Sequence, residues 1–188
     1  MANPANRTQS HRLLRARLGY FMLPFPLAYL ITFTCYGMRL HGDEDGSVNR
    51  RHSIPGTPLL PPRRGWVITD QRQMKQATYT LDRTRRAIVL RTLRQHCAHR
   101  GWRLLAAHVR STHVHMVVAA EQAPERILTE AKAYASRALN GHDWGNGARK
   151  RWARHGSMRY LWQPKHVAAA VEYVVHGQGE PMAVWHEE

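Results

Sequence analysis

His113 and His115 stand two apart in the run H-V-H-M-V-V-A. Alternate residues of an extended strand share a face, so both imidazoles point the same way. Two imidazoles on one face can chelate a divalent cation. The same spacing also suits two half-buried histidines in a chain that has 13 of them. Val114, Met116, Val117 and Val118 make the rest of the run apolar, which sets the pair on a well-packed central element. A second reactive group, Tyr173, lies in the alanine- and valine-rich segment P-K-H-V-A-A-A-V-E-Y-V-V-H. At roughly 100° per residue, His176 and Gly177 fall beside it on a helix. Gln178 lies about 140° round and reaches the tyrosine only where the helix unwinds, which Gly177 permits. By itself Tyr173 reads more readily as a core tyrosine with its hydroxyl at the surface.

The elements that must position these residues follow from periodicity and punctuation. A-Y-L-I-T-F-T-C-Y-G, residues 28 to 37, is β-branched and aromatic and reads as a buried strand. Residues 82 to 100 place Ile88, Val89, Leu93 and Cys97 at helical spacing, and Gly101 stops the helix. Trp102 to Val109 and His113 to Ala119 read as a hairpin. Pro124 opens a second helix through about Asn140, with Ile127, Leu128, Ala131, Tyr134, Ala135 and Leu139 on its buried face and Gly141 after its end. Met158 to Trp162 is a short strand, and Pro164 to about His176 a last helix that ends at Gly177. Residues 40 to 65, rich in Gly, Pro, Asp and Asn, read as a long surface loop. Residues 1 to 24 read as a mobile basic arm before a single domain spanning 25 to 188.

Composition narrows the partner. The 188 residues carry 28 Lys+Arg against 13 Asp+Glu, a formal charge of +15, with 43% hydrophobic residues to supply a core. Only four of the cations are lysines (Lys75, Lys132, Lys150, Lys165), and the arginine fork matches phosphate oxygens in a bidentate way. Nucleic acid is the expected partner. The two cysteines, Cys35 and Cys97, make no disulfide framework or C-x-x-C site and suit a cytoplasmic protein. The uncharged stretch from Leu18 to Met38 is long enough to imitate a membrane anchor, but Pro24 and Pro26 break it and its threonines and tyrosines are polar. No membrane association is expected.

Three segments together resemble a known family: A-Y-L-I-T-F-T-C-Y-G, then W-R-L-L-A-A-H-V-R-S-T-H-V-H-M-V-V, then Y-L-W-Q-P-K-H-V-A-A-A-V-E-Y-V-V-H-G-Q. In order and spacing they look like the single-tyrosine transposases of the HUH superfamily, and most like the REP-associated tyrosine transposases, over residues 28 to 180. The resemblance implies an α+β, ferredoxin-like core with an antiparallel sheet and a C-terminal helix carrying the tyrosine. It implies that His113 and His115 hold a magnesium or manganese ion and that Tyr173 attacks a phosphodiester of single-stranded DNA bearing a hairpin. A 5′-phosphotyrosine and a free 3′ hydroxyl would result, which conserves the bond for rejoining and gives transposition. Tyr134 and Tyr160 precede the matching E-Y-V-V segment. The family places an amide ligand four residues after its tyrosine, where this chain has Gly177; Gln178 is the preferred substitute and His176 the other. Without a working third ligand the chain would be a degenerate nucleic-acid-binding domain of the same fold. A zinc hydrolase is disfavoured, because no carboxylate or cysteine stands at ligand spacing.

For DNA contact the expected residues are Arg110, Lys132, Arg149, Lys150, Arg151, Arg154 and Lys165. Trp144, Trp152 and Trp162, interleaved with that basic loop, suit the stacking of unpaired bases. Trp162 reads more readily as a core residue, and the basic loop equally as a solvated face. The resemblance allows a monomer or a homodimer that shares its tyrosine helix, in a nucleoid-associated protein.

Overall fold

A computed structural model describes residues 25–38, 62–143 and 149–188. The expected arm at residues 1–24 and most of the expected loop, residues 40–61, lie outside the described residues. Strand β1, Ala28–Thr34, alternates between two cores with period two: Tyr29, Ile31 and Phe33 enter one, Ala28 and Leu30 the other. It ends three residues before Gly37, and Cys35 continues it by a single bridge to Trp152. Helix α1, Arg64–Gln73, has no buried residue and therefore no apolar period by which to announce itself. Its first two residues close the stretch expected to be loop.

Helix α2, Arg83–His99, begins where Asp82 accepts a hydrogen bond from the Arg85 N–H at 2.8 Å. Gly101, with φ of 66°, turns the chain after it. Strands β2, Arg103–Val109, and β3, His113–Ala119, form the expected hairpin. Helix α3, Pro124–His142, starts at its proline but runs through Gly141 rather than stopping before it. The Asp143 N–H caps Leu139 O at 2.8 Å, and ion pairs fasten its carboxylate. Strand β4 is Ser157–Leu161, helix α4 is Pro164–Val175, and the tail adds strand β5, Ala183–His186.

The sheet order is β4-β1-β3-β2-β5, antiparallel at every junction. Apart from α1, α4 and β5, the path β-α-β-β-α-β with order β4-β1-β3-β2 is the ferredoxin-like arrangement. Helices α2 and α3 cover one face over a core that includes Ile31, Phe33, Leu93, Val114, Met116, Ile127 and Leu139. Helix α4 covers the opposite face through Ala170 and Val174 against Leu30, Ala106, Val117 and Leu161. Among the described residues no helix is long and apolar enough to cross a membrane.

Candidate active site

Because Val114, Met116 and Val118 fill the α2/α3 core, His113 and His115 are turned to the face that α4 covers. Their rings lie 4.8 Å apart, nearly perpendicular. Each Nδ1 meets a threonine hydroxyl: His115 that of Thr32 at 2.7 Å, His113 that of Thr112 at 2.9 Å. Thr32 stands directly across from His115 in the β1–β3 register. Where the threonine oxygens accept from Nδ1–H, the lone pair falls on Nε2, the tautomer in which that nitrogen can bind a metal. His115 is 6% exposed, so its orientation is further set by packing.

Tyr173 comes to this pair within the same chain. Its ring is 5.6 Å from that of His115 in an edge contact, and the residue is 46% exposed, open to a substrate. Tyr134 instead stacks on His96 at 3.9 Å, and Tyr160 stands against Tyr29 on the α2/α3 side. Beyond Val175 the chain forms a turn in which the Gly177 N–H bonds to Tyr173 O at 3.0 Å. A Cβ at Gly177 would lie 2.8 Å from that carbonyl and 3.0 Å from the tyrosine ring, so the position holds glycine against Tyr173 itself. The Gln178 amide nitrogen donates to Tyr173 O at 3.2 Å, which folds Gln178 back onto the tyrosine turn. His176 is exposed at the helix end. Among the described residues no three His, Cys, Asp or Glu side chains cluster as a metal site. The two oriented rings offer two donors for a cation; a third would have to come from Gln178, whose amide nitrogen here donates to Tyr173 O.

One residue of the site has no signal in the sequence. His108 on β2 lies opposite His115 and is fully buried. Its Nδ1 is 3.0 Å from Val174 O, which can only accept, and the Met182 N–H donates to its Nε2 at 3.2 Å. These partners define a neutral imidazole that ties the end of α4, next to Tyr173, to the strand beside the histidine pair. Burial holds its pKa below the usual histidine value, against the bond to Val174 that would raise it. A register shift between Leu104 and Ala106 makes this possible. On a regular strand those two residues would share a face; here Leu104 enters the first core and Ala106 the second, and His108 is re-aimed toward α4.

The expected DNA contacts divide. Arg151 is corrected from surface to interior: it is 3% exposed, donates to Asn140 Oδ1, and pairs with Asp143 at 3.1 Å. Lys132 is likewise committed inside, donating to the carbonyls of Ala153 and His155 at 2.9 and 3.0 Å, and burial pushes its pKa down to about 8. Arg110 donates to Glu180 O at 3.0 Å. Arg149 and Lys150 lie over the rings of Tyr79 and Tyr36, while Arg154 and Lys165 are exposed. Trp152 packs edge-on against Phe33 and donates its N–H to Ser136 Oγ at 3.0 Å, a structural role. Trp162 is 53% exposed and not in the core, because it lies past the end of β4 on the sheet's edge. Trp144 falls outside the described residues.

No family model and no curated protein matches the sequence. Among solved structures the chain is similar to a REP-associated tyrosine transposase bound to a REP hairpin, with TM-score 0.45 and 12% identity over 86% of this chain and 71% of that one. It is also similar to a protein of Deinococcus radiodurans R1 whose transposase assignment is provisional, with TM-score 0.41 and 14% identity over 86% of this chain and 95% of that one. At these scores the functional reading rests on the chain's own residues.

Proposed function

We propose that the chain is a single-strand DNA nicking and strand-transfer enzyme of the transposase type, with Tyr173 as nucleophile. The observation that carries this reading is the approach of the Tyr173 ring to within 5.6 Å of His115, from a helix that crosses to the face where both histidines emerge. His113, His115 and Gln178 would hold a divalent ion, magnesium or manganese. Such an ion supplies neutralisation of charge developing on the scissile phosphate and orients the leaving oxygen.

The remaining work belongs to the protein. Thr32 and Thr112 hold the imidazoles in one orientation. His108 holds the end of α4, so that the tyrosine hydroxyl meets the phosphate from a fixed direction. Attack forms the Tyr173 Oη–P bond and breaks the P–O3′ bond; the phenol proton is balanced by the one the departing 3′ oxygen gains as it becomes a hydroxyl. The phosphotyrosine conserves the phosphodiester's free energy, and a 3′ hydroxyl reverses the step on the same or another strand.

Wild-type protein incubated with manganese and single-stranded hairpin oligonucleotides should give a covalent protein–DNA adduct that survives denaturation, and Tyr173→Phe should abolish it. An adduct retained by Tyr173→Phe overturns the assignment. A second reading, a non-catalytic DNA-binding domain, is favoured by Gly177, whose contact with Tyr173 closes the position to an amide side chain. It predicts single-strand binding with no adduct and no manganese uptake by calorimetry.

A further inference from the structure

Strand β4 is an edge of the sheet, and two aromatic side chains project from it and from the residue after it. Tyr160 is 48% exposed and Trp162 53% exposed. Residues two apart share a face, and their rings are nearly parallel, 13° between planes with centroids 6.4 Å apart. Tyr160 is held upright by an edge contact with Tyr29, 5.2 Å away and inside the core. Among the described residues neither the Tyr160 hydroxyl nor the Trp162 N–H has a hydrogen-bond partner. Two large, half-exposed and nearly parallel rings at a sheet edge make a poor closing layer for a core and a good surface for a flat, polar-edged ring.

The surroundings identify the occupant. Lys165 follows Trp162 by three residues at the start of α4, and Arg159 precedes Tyr160 on β4, its side chain on the sheet's other face; both are exposed and neither is in an ion pair among the described residues. Tyr160 is three residues along β4 from Ser157, which pairs with Thr32, whose hydroxyl holds His115. That is about 10 Å of strand, the reach of a few nucleotides. Unpaired bases stack on aromatic faces regardless of sequence while cations track the backbone.

We infer that Tyr160 and Trp162 form a stacking ledge for an unpaired base of the DNA strand that enters the Tyr173 site. This rests on the proposed function for the identity of the strand; the ledge itself is a separate binding element on the other face of the sheet.

The test compares wild type with Trp162→Ala and Trp162→Phe on two probes of equal charge, an oligothymidylate of about 20 nucleotides and an abasic strand of the same length. On oligothymidylate Trp162→Ala should bind roughly tenfold more weakly, with Trp162→Phe recovering most of the loss. On the abasic strand all three should bind alike, because no base is present to stack. Equal affinity of wild type and Trp162→Ala for oligothymidylate overturns the ledge and leaves the Tyr173 adduct assay untouched. Equal losses on both probes overturn it in favour of a structural role. A change in oligomeric state with no change in affinity assigns the aromatics to contact with a second copy. Absence of single-strand binding by wild type removes the proposed function and the ledge together.

Discussion

An imidazole buried with both nitrogens engaged cannot be exchanged for a hydrocarbon of similar size without orphaning two backbone groups. In His108→Leu those groups are Val174 O and the Met182 N–H. Each unpaired group costs about 1–3 kcal/mol, and urea denaturation should register the loss. Because Val174 adjoins Tyr173, adduct formation should slow more than affinity for single-stranded DNA falls, separating positioning from binding. The histidine pair was legible from spacing alone, since period two in a strand is enough to put both rings on one face. His108 was not, because its face depends on the irregularity at Leu104 and Ala106. Gly177 read as a missing ligand; in three dimensions it is also a close contact with Tyr173.

The basic segment after α3 is held by an ionic network within the protein. Asp143 lies between Arg85 at 3.0 Å and Arg151 at 3.1 Å, with the Asp143 and Arg151 side chains both buried. Asp143→Ala should destabilise the fold by about 3–5 kcal/mol, because it leaves the Arg151 charge buried and unpaired. Burial pushes the Asp143 carboxyl up, but hydrogen bonds from Arg151 and Arg85 outweigh it and hold the group below its ordinary 3.8. The unfolded chain therefore takes up this proton at a higher pH than the native one. The stability Asp143 contributes is complete above the ordinary value and is lost as pH falls toward the lower folded value. Urea midpoints followed from about pH 6 to about pH 3 should drop more steeply for wild type than for Asp143→Asn, which lacks the titration. This network is why Arg151, read as a surface cation from a run of basic residues, turned out to be internal: a charge run carries no information about which member finds a carboxylate. Helices α2, α3 and α4 were legible from apolar period, cap residues and opening prolines; α1 and β5 were not, the first having no buried face and the second being four residues long with β2 as its partner.

At the scale of the molecule the +15 charge sets the expected salt response. For single strands log affinity falls with log salt at about −0.7 per phosphate neutralised, so roughly five contacts imply a loss of about a hundredfold between about 50 and 200 mM salt. Fluorescence anisotropy on a single-stranded probe measures it, and a flat response would place the excess charge away from the DNA. The amino-acid sequence by itself determined the succession of most strands and helices along the chain, because hydrophobic period, caps and turns are properties of neighbours; the ferredoxin-like arrangement came from the family resemblance. It also determined that His113 and His115 emerge together. Only the tertiary structure decided that α4 crosses the opposite face of the sheet to bring Tyr173 to His115, that His108 anchors it there, and that Trp162 stays outside while Arg151 goes in. Each of these depends on contacts between residues distant in sequence, through a register shift, an edge position and a buried counter-charge that local pattern does not encode.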